Sequence, residues 1–416
     1  MRLQKLVVFA AAMMVALPAA PTEARVTRHH AVRHHAVHHR HHRRRPHLLP
    51  VSANAPNAEL VFDASTGRVL AVENPDQQVY PASLTKMMTL YLAFRAIEAG
   101  RLRLDDMVEV SSHAAAAPPT KLGLREGQTV LVDELIRGAV TESANDAARV
   151  LAERLDGSLG HDLLQMLRAD LAQQEADDAA DAQDNPQSPQ DAADRAQEVA
   201  YMHTLANTIV ADGSEEDFAR IMTLQARLLG MDDTTYRNAS GLPDMEQVTT
   251  APDYAMLAYA IVNLPARYYS YFSVQHFQFG GADHHNHNLN FLTHYDGADG
   301  IKTGYTQSGG FNVVDSARRG GTRLVAIVMG RHSLAAREAE VNTLLDAGFA
   351  ATHGATVVSV ASAPDVLSVG QTLDFPTLPE LTPSTHATPL PADLAASLEQ
   401  TSAQHAVSPA SAHALR

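Results

Sequence analysis

The stretch PASLTKMMTLYLAFRAIEAG, residues 81–100, predicts the central helix of the fold. Apolar residues occupy positions 84, 87, 88, 91, 92 and 94, and a glycine at position 100 ends the pattern. An apolar stripe this broad indicates a helix that is mostly buried. Ser83 and Lys86 lie three residues apart at its start, on adjacent parts of one helical face. Two interpretations follow: Ser83 caps the helix, or Ser83 is a nucleophile and Lys86 its general base.

Lysine is rare in this chain, which makes each lysine informative. The lysines are Lys5, Lys86, Lys121 and Lys302, and the other 28 of the 32 basic residues are arginines. Arginine stays protonated in proteins, whereas burial can make a lysine neutral and therefore basic. The apolar neighbours of Lys86 predict a setting of low dielectric constant, which lowers its pKa. The helix N-terminus would also favour a developing oxyanion.

Two later stretches carry polar residues that could serve chemistry or local structure. In TESANDAARV, residues 141–150, Ser143 and Asn145 fall in a predicted loop between helices. A serine there can relay a proton and an asparagine can orient an amide, although local capping is an equally simple role. In DGIKTGYTQSGGFNVV, residues 299–314, Lys302 and Thr303 look like part of a strand on which together they can hold a carboxylate, although a turn is the simpler interpretation of this triplet alone.

Taken together, the three patterns are far more specific than any one of them. The order Ser-x-x-Lys, Ser-x-Asn, Lys-Thr-Gly is typical of the serine enzymes that recognise penicillin. The chain resembles that superfamily and most closely its D-alanyl-D-alanine carboxypeptidases of low molecular weight, the low-molecular-weight penicillin-binding proteins. Connecting sequence such as LREGQTVLVDELIRGAVTESANDAA and NASGLPD strengthens the resemblance. It extends over most of the stretch that is predicted to fold.

The resemblance implies a role for each motif residue. Ser83 would form an acyl-enzyme, Lys86 would be its base, and Ser143 would pass protons to the leaving D-alanine. The residues implied in substrate binding are Asn145 at the substrate backbone, Lys302 and Thr303 at the terminal carboxylate, Gly304 where backbones approach closely, and Tyr305, whose N–H would complete an oxyanion hole with that of Ser83. The implied partners are peptidoglycan stem peptides and β-lactam antibiotics. The implied reaction needs no cofactor and no metal.

The predicted fold class is α+β, of the β-lactamase and DD-peptidase type: an antiparallel sheet flanked by helices, plus a helical subdomain. Two β-rich runs flank a turn in residues 58–74, and two more flank Gly320-Gly321 in residues 310–330, so both read as hairpins. Helical patterns fill residues 132–155 and 213–231, and an amphipathic helix covers residues 333–350. Strands at both ends with helices between them indicate one sheet built from distant segments.

Composition divides the chain into four parts. Residues 1–24 read as a cleavable signal peptide, which predicts a periplasmic protein. Residues 25–55 form an arm rich in histidine and arginine, predicted to be disordered. Residues 56–352 are the predicted catalytic domain, in which 158–210 is an acidic insertion predicted to be disordered. Residues 353–416 are a tail rich in Ala, Pro and Ser, also predicted to be disordered, and no membrane anchor is evident in it.

Charge and residue usage exclude several classes of function. A net charge of −15 argues against nucleic acid as the main partner. The chain has no cysteine, so it has no thiolate nucleophile and no disulfide. No His-Glu-x-x-His pattern occurs, and the only metal binding predicted is adventitious, at the His-rich arm. The cluster DHHNHN, residues 283–288, is predicted to shape a cleft wall.

Competing functions remain open at this level. A D,D-endopeptidase would use the same residues on crosslinked peptides. A non-catalytic wall-binding protein would use the arm and the insertion instead. A β-lactamase is disfavoured, because Ser-Ala-Asn replaces Ser-Asp-Asn and no equivalent of the deacylating glutamate is evident. Lys121 has no assigned role, and both the cleft rim and the open surface are possible places for it.

Overall fold

A computed structural model describes residues 56–184, 188–352, 367–379 and 390–396. The predicted signal peptide, residues 1–24, and the His-rich arm, residues 25–55, lie outside these residues. Nine strands occur in the described part: β1 (Ala58–Asp63), β2 (Val69–Glu73), β3 (Met107–Glu109), β4 (Thr129–Leu131), β5 (His276–Phe279), β6 (Ala282–His285), β7 (Ala298–Thr306), β8 (Gly310–Arg319) and β9 (Thr322–Arg331).

The same ranges contain eleven α-helices and two short 3-10 helices, Ala82–Thr85 and Ser270–Ser273. The α-helices are α1 (Lys86–Glu98), α2 (Ser112–Ala115), α3 (Val132–Val140), α4 (Asn145–Asp156), α5 (Gly160–Asp184), α6 (Pro189–Thr208), α7 (Glu215–Leu228), α8 (Ala251–Val262), α9 (Ala266–Tyr269), α10 (Leu289–His294) and α11 (Leu334–Thr352). None of these helices is both long and apolar enough to cross a membrane.

Five strands form the main sheet in the order β2-β1-β9-β8-β7, with every neighbouring pair antiparallel. Both hairpins predicted from the sequence are therefore present, and the first strand pairs with the last. The middle of strand β9, residues 324–329, is continuously apolar, as expected for a strand covered on both faces of the sheet. Its Leu324, Ala326 and Val328 pack toward α11, while the alternate residues Val325, Ile327 and Met329 join the larger core with the helices. This layered α+β arrangement confirms the predicted fold class.

Helix α1 lies at the centre of the helical layer, as its broad apolar stripe predicts. All thirteen of its residues are buried, including Lys86, Arg95 and Glu98. The charged side chains are paired: Arg95 contacts Asp170 at 2.7 Å, and Glu98 accepts a hydrogen bond from Arg267. The helix begins at Lys86 with Thr85 in the N-cap position, so Ser83 does not cap it.

The predicted disorder of the acidic insertion is wrong. Two long helices, α5 and α6, make up most of residues 158–210. The physical reason is a set of leucines at helical spacing near the start of α5, all buried against the helical layer: Leu163, Leu164, Leu167 and Leu171. Met202 and Ala206 are the buried residues near the end of α6. The acidic residues lie mainly on the exposed remainder of the two helices.

The predicted disorder of the tail also needs correction for its described segments, 367–379 and 390–396. Leu367, Leu373 and Leu394 are buried in the main core. The ring of Phe375 stacks on Tyr259 with a centroid distance of 3.8 Å. These apolar residues are too sparse to give a periodic pattern. Composition alone therefore predicted that the whole tail is disordered.

Candidate active site

Ser83 lies in the 3-10 helix that precedes α1, and the backbone around it is held from the sheet. The buried amide of Asn312, on β8, donates hydrogen bonds to the carbonyl oxygens of Tyr80 and Pro81, at 2.8 and 3.2 Å. Ala82, directly before Ser83, has a φ of +50°, a conformation that non-glycine residues adopt only when the surroundings enforce it. Ser83 therefore lies on a strained turn that is fixed at the edge of the sheet.

Two glycines allow other backbone segments to approach this turn. A Cβ on Gly241 would lie 1.8 Å from the carbonyl oxygen of Ala82, and the φ of Gly241 is +84°. A Cβ on Gly304, in β7, would lie 3.1 Å from the backbone nitrogen of Ser83. The prediction that Gly304 permits close backbone approach is confirmed. The nucleophile turn is thus clamped between strand β7 and the loop that contains Gly241.

Lys86 is fully buried, as its apolar neighbours predicted, and its amine is the centre of a hydrogen-bond network. Its Nζ lies 3.2 Å from Ser83 Oγ, 2.8 Å from Asn145 Oδ1 and 2.6 Å from the carbonyl oxygen of Ser240. Burial lowers the pKa of Lys86 well below its usual value, and the neighbouring charge of Lys302 lowers it further. An amine whose pKa is lowered, within hydrogen-bond reach of a serine hydroxyl, is the arrangement that general-base activation requires.

The carbonyl of Ser240 belongs to the loop NASGLPD, residues 238–244, to which the sequence analysis assigns no role. Asn238 Oδ1 accepts hydrogen bonds from the backbone N–H groups of Ser240, Gly241 and Leu242, at 3.2, 2.7 and 3.1 Å. This local Asn-backbone turn fixes the direction of the Ser240 carbonyl. The signal in the sequence was the Asn-x-Ser-Gly pattern itself, which favours such a turn.

Ser143 and Asn145 enter the site from the connection between α3 and α4. Ser143 has a φ of +56° and is 2% exposed, and its hydroxyl has no hydrogen-bond partner among the described residues. Asn145 is the first residue of α4, and its Nδ2 donates to the carbonyl oxygen of Pro118 at 3.0 Å. Because its Oδ1 already accepts from Lys86, Asn145 links the second motif to the first. The Ser143 hydroxyl is held in place and available for a further partner.

Lys302 and Thr303 lie on β7, which confirms the predicted strand, and both are buried. Burial, together with the positive charge of Arg337, lowers the pKa of Lys302 to about 7, while the charge of Glu142 opposes the shift. Lys302 Nζ donates to the carbonyl oxygen of Thr303 at 3.0 Å. A carboxylate ligand would restore full positive charge to Lys302, because an opposite charge nearby raises a lysine pKa.

Arg337, on α11, is a residue of the site that sequence reasoning missed. Its side chain is buried, and its Nε has no hydrogen-bond partner within the described residues. The charges of Asp315 and Glu338 stabilise the guanidinium. Arg337 and Lys302 therefore form a buried positive pair in a chain whose net charge is −15. In the sequence Arg337 is one of several charged residues of an amphipathic helix, and nothing marks it as inward-facing.

The two remaining candidates lie nearer the surface. Tyr305 is 56% exposed, and its ring packs on Phe311 with a centroid distance of 4.3 Å. Lys121 is half-buried and follows Thr120, whose carbonyl oxygen accepts a hydrogen bond from the backbone nitrogen of Asn145 at 2.8 Å. The Lys121 side chain thus belongs to the loop beside the second motif, and the described contacts give it no partner in the Lys86 network.

Comparison with known proteins gives a consistent match for this arrangement. A family model described as D-alanyl-D-alanine carboxypeptidase matches residues 47–179 and 202–333. The residues between the two matched ranges, 180–201, include the end of α5 and most of α6. Among curated proteins, D-alanyl-D-alanine carboxypeptidase DacA of Escherichia coli is 29% identical over 296 residues, covering 70% of this chain and 60% of that protein. The chain thus spans about three fifths of that relative.

Solved structures match over the same region. Penicillin binding protein 6B of Escherichia coli aligns with a TM-score of 0.54 and 28% identity, covering 71% of this chain and 77% of that one. Penicillin-Binding Protein D2 of Listeria monocytogenes, crystallised in an ampicillin-bound form, aligns with a TM-score of 0.52 and 25% identity, covering 73% of this chain and 100% of that one. Both alignments support the same fold for the described domain.

Proposed function

The chain belongs to the D-alanyl-D-alanine carboxypeptidase family, and we propose that it is itself a serine-type D,D-carboxypeptidase acting on peptidoglycan pentapeptides. The observation that carries this proposal is the Ser83 hydroxyl 3.2 Å from a fully buried lysine amine. Capping does not account for Ser83, since helix α1 begins at Lys86. An arginine at position 86 would satisfy a surface role, whereas a base requires a group that burial can make neutral.

In the first half of the proposed reaction, Ser83 Oγ attacks the carbonyl carbon of the penultimate D-alanine while its proton passes to Lys86 Nζ. The oxyanion is stabilised by the backbone N–H groups of Ser83 and Tyr305, whose strand lies against the nucleophile turn. The C–N bond to the terminal D-alanine then breaks. The nitrogen of the leaving D-alanine takes the proton from Lys86 through the hydroxyl of Ser143. The rest of the peptide stays bound to Ser83 as an ester.

In the second half, a water molecule attacks the ester carbonyl and loses a proton to Lys86. The ester C–O bond breaks, Ser83 Oγ recovers a proton, and the shortened peptide leaves. Every proton that the base takes is returned, so the cycle needs no metal and no cofactor. The net reaction is hydrolysis of one D-alanyl-D-alanine peptide bond.

Substrate selection is proposed to depend on the buried cations. The free carboxylate of the terminal D-alanine would bind to Lys302 and the hydroxyl of Thr303, and the charge of Arg337 behind them adds to the attraction. Asn145 is proposed to hold the peptide backbone of the substrate. A β-lactam carries an equivalent carboxylate beside a strained amide, and the ampicillin-bound relative supports the proposal that this chain also acylates with penicillins.

The proposed site of action is the periplasm. The residues before the folded domain read as a signal peptide, and the proposed substrate lies outside the cytoplasm. The His-rich arm and the acidic helices α5 and α6 are not needed for the chemistry above.

The decisive experiment measures D-alanine release from a pentapeptide ending in D-alanyl-D-alanine, and covalent labelling by a fluorescent penicillin. Wild type is expected to do both, Ser83→Ala to do neither, and the exposed-serine control Ser112→Ala to match wild type. Labelling without release would instead favour an endopeptidase, to be tested on a crosslinked dimer. The absence of both from folded wild-type protein would overturn the proposal.

A further inference from the structure

The hairpin of β5 and β6 carries three potential metal ligands on one face. Strand pairing places His276 directly opposite His285, while Gln278 lies opposite Asp283. Because residues two apart on a strand share a face, Asp283 lies on the same side as both histidines. The ring centroids of His276 and His285 are 4.7 Å apart. The sequence marked Asp283 and His285 as part of the cluster DHHNHN, but not His276, which lies on the other strand of the hairpin.

The ligand atoms converge on one point. Asp283 Oδ2 lies 3.8 Å from His276 Nδ1 and 3.6 Å from His285 Nε2. All three candidate ligand atoms lie within 4.8 Å of one another. Ligands at zinc distances are separated by roughly 3.4 Å in a tetrahedral site. Small side-chain rotations therefore suffice to bring the three atoms to the distances that a metal ion requires.

The opposite face of the hairpin is anchored to the domain. Phe277 is buried, and His284 Nδ1 lies 3.2 Å from Glu142 Oε2, in the segment that also contains Ser143. The backbone nitrogen of Asn286 donates to the carbonyl oxygen of Gln275 at 2.9 Å, which closes the base of the hairpin. Ligands on an anchored strand pair are preorganised, which favours binding over ligands on a free loop.

We propose that the outward face of this hairpin binds a divalent transition-metal ion of the zinc type, with His276, Asp283 and His285 as ligands. Two neutral imidazoles and one carboxylate form a ligand set that suits Zn²⁺. The side chains are 50%, 41% and 56% exposed, so an ion can enter from solvent, and water completes its coordination. The site lies on the wall of the cleft and takes no part in the proposed reaction.

An ordinary surface ion pair is the simplest competing explanation. Exposed pairs of this kind contribute little to stability, and two histidines placed directly opposite each other repel when both are protonated. In the metal-ion proposal the same placement is favourable, because two adjacent neutral imidazoles can bind one ion. It also predicts that the carboxylate between them is required, which gives a specific variant to test.

The test is residue-resolved histidine modification by diethyl pyrocarbonate on the full chain, read by mass spectrometry across a Zn²⁺ titration. Zn²⁺ is expected to protect His276 and His285, whereas the exposed His161 and His332 keep reacting. In Asp283→Asn the Zn²⁺ concentration for half-protection should rise at least about tenfold, the factor that a loss of 1.4 kcal/mol gives. The matched control is Asp76→Asn, an exposed aspartate elsewhere.

Resolution by residue separates the hairpin from the histidines of the arm, where adventitious Zn²⁺ binding is predicted, because the two are read in different peptides. Equal reactivity of His276 and His285 with and without Zn²⁺ would overturn the proposal. Protection that is the same in Asp283→Asn as in wild type would overturn it too. Circular dichroism confirms that each variant is folded, and no measurement depends on the peptidase activity.

Discussion

Lys86 Nζ lies 2.8 Å from Asn145 Oδ1, so the second motif of this site positions the base of the first. The amide oxygen is neutral, and it accepts a hydrogen bond without stabilising the positive form as a carboxylate would. The side chain therefore orients the amine while leaving its pKa low. Two motifs 59 residues apart in sequence are coupled through one hydrogen bond.

Replacing that amide by a carboxylate tests the coupling. In Asn145→Asp, a negative charge beside Lys86 should raise the pKa of the amine and keep it protonated at neutral pH. The rate of acylation by penicillin should fall at pH 7 and recover partly as the pH rises. The measurement is the acylation rate between pH 6 and 10, and we expect the ascending limb of this profile to lie at higher pH than in wild type. An ascending limb at the same pH as in wild type would contradict a role for Lys86 as the base.

The identity of the base is tested separately by Lys86→Arg. The guanidinium stays protonated, so proton abstraction from Ser83 is lost, and general-base catalysis is typically worth about 10²–10⁴ in rate. We expect the acylation rate constant to fall by at least about 100-fold. The control is Lys121→Arg, which changes the same residue type outside the Lys86 network and should retain the wild-type rate.

Apolar spacing and motif order were enough to predict much of this site. The burial of Lys86 follows from its position in an apolar helix, and the strand at Lys302 follows from β-rich flanking residues. The antiparallel sheet follows from hairpin signals at both ends of the domain. Each of these three predictions depends on a local sequence pattern that continues over several helical turns or several strand residues.

The residues that escaped prediction contribute through long-range packing. Ser240 offers only a backbone carbonyl to Lys86, so its side-chain type carries no signal. Arg337 faces inward because α11 packs on β8 and β9, a relationship that no local pattern encodes. Disorder was wrongly predicted for the acidic insertion because that prediction used its average composition, whereas a few leucines decide how it packs.

Glycine 241 offers a steric test of the nucleophile turn. In Gly241→Ala the new Cβ would overlap the carbonyl of Ala82 at 1.8 Å, so the turn that carries Ser83 has to move. Acylation should fall by at least about tenfold, as small misplacements of reacting groups are costly. The matched control is Gly230→Ala, with a similar φ of +74° and open space around its Cβ. Equal loss of activity in both variants would show that backbone strain alone is responsible.

The packing of the acidic helices is tested at Leu167, which is fully buried on α5. Leu167→Ala should lower the free energy of unfolding by about 2–5 kcal/mol, the usual range for a buried leucine. Leu334→Ala is the control, since Leu334 is 46% exposed and its truncation should have little effect. Urea denaturation measures both. An unfolding curve for Leu167→Ala that overlays wild type would mean that α5 does not contribute to the cooperative core.

Asp253 predicts how stability depends on pH. It lies in the first turn of α8 and accepts a hydrogen bond from Thr234 Oγ1 at 2.6 Å. Burial, together with the negative charge of Asp233, raises its pKa from 3.8 to about 7. The folded protein therefore holds this proton more tightly than the unfolded chain. The resulting stability is full below pH 3.8 and is lost as the pH rises toward 7.

The Asp253→Asn variant cannot titrate at this position, so its stability should vary less with pH. Urea denaturation at pH 5 and pH 7.5 should show wild type gaining more than about 1 kcal/mol over the variant on acidification, since one pKa unit corresponds to about 1.4 kcal/mol. Other buried carboxyls, such as Asp315, titrate in both proteins and cancel in the difference. Asp76→Asn, at an exposed position, should follow wild type at both pH values. Parallel changes in Asp253→Asn and wild type would show that Asp253 is ionised in the folded protein across this range.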